Sequence, residues 1–153
     1  MYYIGIDLGT SAVKLLLMQG DGQIANIVSR EYPIAFPHPG WSEQNPADWW
    51  DAVCAGIPEL LNGFDASQVA GIGAGGQMHG LVMLDEEGKV LRRSIIWCDQ
   101  RTGAECGEIT RLVGADRLMD ITLSPALTGF TASKILWVRN CLLYTSPSPR
   151  DRQ

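Results

Sequence analysis

The stretch Tyr2-Tyr3-Ile4-Gly5-Ile6-Asp7-Leu8-Gly9-Thr10-Ser11-Ala12-Val13-Lys14-Leu15-Leu16-Leu17-Met18 decides the fold. Tyr2 to Asp7 is a short apolar run ending in a carboxylate. Gly9-Thr10-Ser11 turns the chain, and Ala12 to Met18 is a second apolar run broken only by Lys14. Gln19-Gly20-Asp21-Gly22 signals another turn, and Ile24 to Tyr32 follows with β-branched residues. Three strands joined by tight turns predict an antiparallel meander. The first turn also has the parts that phosphate handling needs. Gly9 lets backbone approach an anion, and main-chain amides with the Thr10 and Ser11 hydroxyls can donate to phosphate oxygens. Asp7 can hold Mg²⁺, directly or through water, and Lys14 can add a cation. A plain hairpin, with Asp7 bonding the turn amides, is the structural alternative.

Outward from this hairpin, residues 33–44 form a Pro-rich connection. Asn45-Pro46-Ala47-Asp48 then reads as a helix start, with Asn as cap, Pro at the first position and an acid at the positive end of the dipole. Trp49, Trp50, Val53, Ile57, Leu60 and Leu61 keep helical spacing. Gly56 and Pro58 weaken the last turns, and Asn62-Gly63 ends them. Val69 to Ala74 reads as a strand. Leu81 to Leu84 and Val90 to Trp97 read as a hairpin about Asp85-Glu86-Glu87-Gly88-Lys89. Helices follow over Arg101 to Val113 and Ala115 to Ile121, and a further one opens at Thr131, a candidate cap. The order β-β-β-α-β, then a hairpin and helices, is an α/β pattern.

Two more constellations suit a ligand. Gly71, Gly73 and Gly76 match the spacing of the dinucleotide fingerprint, but that fingerprint must open a helix. Here Gln77-Met78-His79-Gly80 leads into another strand, so a dinucleotide-binding reading fails. His79, flanked by glycines at a strand end, stands where function collects. Trp97-Cys98-Asp99-Gln100-Arg101 ends a strand in an aromatic, an acid and a base, which suits a sugar cleft. The alternative makes Asp99 a helix cap and Arg101 its salt-bridge partner.

Asp7-Leu8-Gly9-Thr10-Ser11 with a basic residue at 14 resembles the first phosphate motif of the actin, Hsp70 and sugar-kinase superfamily, and within it the FGGY carbohydrate kinases. Gly76-Gln77-Met78-His79-Gly80 resembles the sugar-binding segment of the xylulose-kinase branch. Pro39 to Pro46 with Trp49-Trp50, Trp97 to Arg101, and Gly129-Phe130-Thr131-Ala132-Ser133-Lys134-Ile135-Leu136-Trp137 resemble further segments of that family. Lys14 and Ala12 depart from the Arg and Ser of glycerol-kinase-like members, and Cys98 departs from an Asn. The resemblance implies a ribonuclease H-like α/β domain of the actin/hexokinase/Hsp70 type, with a mixed sheet and flanking helices. It implies ATP and Mg²⁺ as cofactors, held by Asp7, Gly9, Thr10, Ser11 and Lys14. It implies a ketopentose, D-xylulose, touched by Met78, His79, Trp97, Asp99 and Arg101, with phosphoryl transfer to the 5-hydroxyl. The family's catalytic base and adenosine pocket lie downstream, so these residues are expected to be an N-terminal piece without turnover of its own. Within the family the alternatives are ribulose, gluconate or glycerol kinase. Outside it, an actin- or Hsp70-like ATPase module shares the Asp7 loop. It leaves Gly76 to Gly80 and Trp97 to Arg101 unexplained.

Composition bounds these readings. The chain has 153 residues, 46% hydrophobic and 19% charged, with a net charge of −5. That balance excludes wholesale disorder, and the acidic charge disfavours a nucleic-acid partner. No apolar run is long enough for a membrane span. Met1 to Asp7 lacks a basic segment, so it is not read as a signal peptide. Cys54, Cys98, Cys106 and Cys141 form no C-x-x-C pair, which suits reduced thiols in the cytoplasm and no zinc. A homodimer is the expected assembly of the full-length protein. The expected organisation is a partial kinase domain over 1–140 and a disordered tail over 141–153. The tail's Ser146-Pro147-Ser148-Pro149 resembles translated sequencing-adapter read-through.

Overall fold

In the computed structural model, residues 1–145 are described; residues 146–153, the greater part of the expected tail, lie outside the described residues. The chain divides into two compact units, one of residues 1–34 with 44–78 and one of residues 35–43 with 79 onward.

The first unit is the predicted meander with its helix and return strand. Strands β1 (Tyr2–Leu8), β2 (Ala12–Gln19) and β3 (Ile24–Glu31) pair antiparallel, and β5 (Val69–Gly76) adds to β1 in parallel, giving the order β3-β2-β1-β5. Alternation sets the faces. Val13, Leu15 and Leu17 are fully buried and pair with Leu8, Ile6 and Ile4 of β1. With Val28, Tyr32 and Leu60 they form one core. Lys14 and Asp7 occupy the opposite face, paired with each other in register.

Helix α1 (Pro46–Leu60) covers the core face of β2 and β3. It starts as predicted, with the Asn45 side chain accepting from the Ala47 amide and Pro46 in the first turn. It also runs through Gly56 and Pro58. A Cβ on Gly56 would come within 2.4 Å of a Leu15 methyl, so the residue expected to weaken the helix is what lets it approach the sheet. The Asn26 amide donates to the Leu60 carbonyl at 2.9 Å and satisfies one of the helix's terminal acceptors.

In the second unit, Glu43 of the two-residue strand β4 (Glu43–Gln44) exchanges main-chain hydrogen bonds of 2.8 and 2.9 Å with Ala35. Strand β6 (Ser94–Ile95) lies beside β4. The predicted hairpin over Leu81 to Trp97 is much reduced. Only single bridges join Leu81 to Ile95 and Leu84 to Val90. The turn itself forms, with the Asp85 carboxylate accepting from the Glu87 and Lys89 amides at 3.1 and 2.7 Å. The two bridges are out of register with each other, so they do not join into one ladder; between them, Arg92 pairs with Glu43 (2.9 Å) and lies over the Trp137 ring. Helices α2 (Gly103–Val113), α3 (Ala115–Thr122) and α4 (Thr131–Thr145) complete the unit. Thr131 is the first helical residue of α4 rather than the residue before it, and α4 continues through residues 141–145.

No helix among the described residues is long and apolar enough to cross a membrane.

Candidate functional site

The loop between β1 and β2 is fixed by its carbonyls. The Tyr32 hydroxyl donates to the Gly9 carbonyl, the Gln44 side-chain amide to the Thr10 carbonyl at 2.8 Å, and the Tyr32 main-chain amide to the Ser11 carbonyl at 3.2 Å. Among the described residues all peptide bonds are trans, and a trans peptide points its N–H opposite its C=O. Anchoring the Gly9 and Thr10 carbonyls therefore turns the Thr10 and Ser11 amides away from Tyr32 and Gln44. A second link backs this up. The Gln77 side-chain amide donates to the Gln44 side-chain carbonyl at 2.8 Å, while the Gln77 main-chain amide donates to the Leu8 carbonyl, also at 2.8 Å. Gln44 is 1% exposed.

Gly9 is required by the hairpin itself, since a Cβ there would lie 2.9 Å from the Ala12 carbonyl oxygen. Its amide bonds the Asp7 and Ala12 main-chain carbonyls at 3.1 and 3.0 Å, so the turn amide goes to backbone and not to the Asp7 carboxylate. Asp7 is exposed at the end of β1, flanked in register by Lys14 on one side and Gly75 on the other. A Cβ on Gly75 would meet nothing within 4 Å, so bare backbone and open space adjoin the carboxylate. Buried Tyr32 feels this charge. Desolvation first, and Asp7 second, push its phenol above the usual range.

A carboxylate, two hydroxyls and outward amides are hard oxygen and anion ligands, which fits Mg²⁺ and phosphate better than a soft metal. No group of three or more His, Cys, Asp or Glu residues among the described residues could enclose a metal. A Mg²⁺ here would rest on Asp7 and on oxygens from water or phosphate, as that ion commonly does.

The residues expected to touch sugar divide between the units. Met78, in the first unit, is 70% exposed. His79, in the second, is exposed and holds a left-handed conformation with φ 62°. Its carbonyl accepts from the Lys134 ammonium at 2.7 Å, and its ring packs edge-on against Phe130 at 4.8 Å. The same ammonium donates to the Gly129 carbonyl at 2.7 Å. A Cβ on Gly129 would lie 3.1 Å from the Trp97 carbonyl, so Trp97, whose surface is half exposed, adjoins this cluster. Lys134 is fully buried, and that desolvation lowers its pKa against the opposing pull of Asp99.

Asp99 and Arg101 are occupied with each other. Asp99 is fully buried and accepts from the Ser42 amide at 2.6 Å and the Arg101 amide at 2.9 Å. The Arg101 guanidinium bonds the Asp99 carboxylate at 2.7 Å and pairs with Glu43 at 2.8 Å. It also stacks 3.7 Å over Trp41 and 4.9 Å from Trp137. The salt-bridge alternative describes this geometry, except that Thr102 and not Asp99 caps α2. The bracing residues Tyr32, Gln44, Gln77 and Lys134 carry no sequence signal as site residues. Gln44, Gln77 and Lys134 do lie within segments that resemble the family, which is their one signal.

The N-terminal domain model of the FGGY family of carbohydrate kinases matches residues 2–142. The chain is 45% identical over 140 residues to xylulose kinase of Bacillus subtilis (strain 168), covering 90% of this chain and 28% of that protein. It is 39% identical over 139 residues to xylulose kinase of Staphylococcus xylosus, covering 91% and 29%. Among solved structures, xylulose kinase from Rhodospirillum rubrum superposes with a TM-score of 0.87 at 31% identity, covering 92% of this chain and 29% of that one. The chain thus spans less than a third of the length of the relatives it matches.

Proposed function

The chain belongs to the FGGY family of carbohydrate kinases, with the ribonuclease H-like fold of that group, and from that premise we propose that it carries the first phosphate loop and part of the sugar site of an ATP-dependent D-xylulose kinase. The observation that carries the proposal is the anchoring of the Gly9 and Thr10 carbonyls by Tyr32 and Gln44, which presents the next two amides outward beside an exposed Asp7. Bound ATP with Mg²⁺ would supply the phosphoryl group. The Thr10 and Ser11 amides and hydroxyls bind its oxygens, Asp7 orients the cation, and Lys14 adds positive charge.

Met78, His79 and Trp97 face the sugar in this reading. Two polarisable faces and an imidazole that can donate or accept suit a polyhydroxylated ketopentose. Asp99 and Arg101 serve it from within, as the buried pair beneath the Trp97 turn. The base that takes the proton from the 5-hydroxyl belongs to a part of the enzyme outside these residues. The whole enzyme is read as cytoplasmic and homodimeric.

The test is ADP release by the full-length protein with D-xylulose, D-ribulose, gluconate and glycerol. D-xylulose should give the highest kcat/KM, and the 153-residue chain alone should show no turnover. A higher kcat/KM for glycerol or gluconate would overturn the sugar assignment. Turnover by the isolated chain would overturn the division of the machinery.

A further inference from the structure

The segment Gly129 to Lys134 grips His79 from two sides. Lys134 holds its carbonyl at 2.7 Å and Phe130 holds its ring at 4.8 Å. His79 needs such a grip. A left-handed residue that is not glycine is strained and persists only where its surroundings over-determine it. A fully buried ammonium is itself unfavourable unless its hydrogen bonds are met. Methionine would fill the same volume without that cost, so simple packing does not account for a lysine here. What the ammonium adds is direction. It donates to two carbonyls, one from His79 and one from Gly129, and ties the strained residue to the start of α4. The imidazole itself stays exposed.

We propose that Lys134 is a positioning residue for the sugar site, fixing the main chain of His79 in its left-handed conformation so that the imidazole stands ready for a sugar hydroxyl. This rests on the reading of His79 as a sugar contact.

The experiment is a double-mutant cycle in the full-length protein, reading KM for D-xylulose and for ATP separately. Lys134→Met should raise the D-xylulose KM by about tenfold or more, a loss of the size expected for a misplaced contact, and leave the ATP KM within about twofold. In a His79→Ala background the same substitution should add almost nothing, because Lys134 acts through His79. An additive effect, or an unchanged D-xylulose KM, would overturn the proposal. Lys134→Leu also lacks the donor, and it decides the cycle by the same criteria if Lys134→Met does not fold. If the unmodified protein phosphorylates no sugar, the kinase reading fails and the proposal with it. If the unmodified protein turns over and the cycle is additive, only the proposal about Lys134 fails.

Discussion

The Gln44 side-chain amide donates to the Thr10 carbonyl at 2.8 Å and so decides which way the Thr10–Ser11 peptide faces. Gln44 is held in turn by Gln77 at 2.8 Å, and Gln77 is tied to Leu8 through its own amide. The loop's orientation therefore depends on residues more than thirty positions away in sequence, brought together by the parallel pairing of β5 with β1.

Breaking this chain of amides should loosen the loop without unfolding the sheet. Gln77→Leu keeps the volume and removes the donor to Gln44. In the full-length protein the ATP KM should rise by about three- to tenfold, the worth of roughly one hydrogen bond. The melting temperature should fall only by a few degrees. An unchanged ATP KM in steady-state kinetics would show that the bridge has no part in binding phosphate.

The space beside Asp7 gives a second prediction. Gly75 pairs with Asp7, and a Cβ there would meet no atom within 4 Å. Gly75→Val suits a strand and should leave stability within about 1 kcal/mol of the parent. The added methyls would fill the ligand's space instead. Nucleotide affinity, measured by calorimetry on the full-length protein, should fall by about tenfold or more, equivalent to about 1.4 kcal/mol. Equal affinity would mean that phosphate does not pass this edge of β1.

Tyr32 makes a prediction about pH. Burial and the Asp7 charge raise its phenol pKa in the fold above the value of 10.0 that it has in the open chain. The folded state then holds the proton more tightly than the unfolded state. The stabilisation is complete below pH 10.0 and is lost as pH rises through the folded-state pKa. Lys134 acts in the opposite sense, because its lowered pKa makes the fold gain stability as pH rises toward the unfolded value. The difference between wild type and Tyr32→Phe isolates the tyrosine. Chemical denaturation from pH 8 to 11 should show a steeper alkaline loss in the parent than in Tyr32→Phe, and parallel curves would contradict the assignment.

Much of the first unit was legible because its elements announce themselves locally. The apolar run Ala12 to Met18 marked the second strand, and Asn45-Pro46 marked the helix start at the observed residue. The hairpin over Leu81 to Trp97 is reduced to two bridges that differ in register, a mismatch that its strand-like apolar residues do not reveal. The reading of Asp99 and Arg101 stayed open in sequence, since an acid two residues from a base serves a sugar or a buried pair equally well. Burial separates the two, and burial is a tertiary property. Gln44 and Lys134 were illegible as braces for a related reason. Polar side chains are read as surface unless a partner is visible, and their partners at Thr10 and His79 lie far along the chain.

The most direct test of the account is the rate of ADP formation with saturating D-xylulose, ATP and Mg²⁺, compared between the full-length protein and Asp7→Asn. Asp7 is exposed and forms no part of the core, and the Gly9 amide is held by main-chain carbonyls, so the substitution should leave the fold intact. The account predicts a folded variant whose kcat falls by about a hundredfold or more, the size of loss seen when a group that stabilises transition-state charge is removed. A folded Asp7→Asn protein that phosphorylates D-xylulose within about twofold of the parent rate would contradict it.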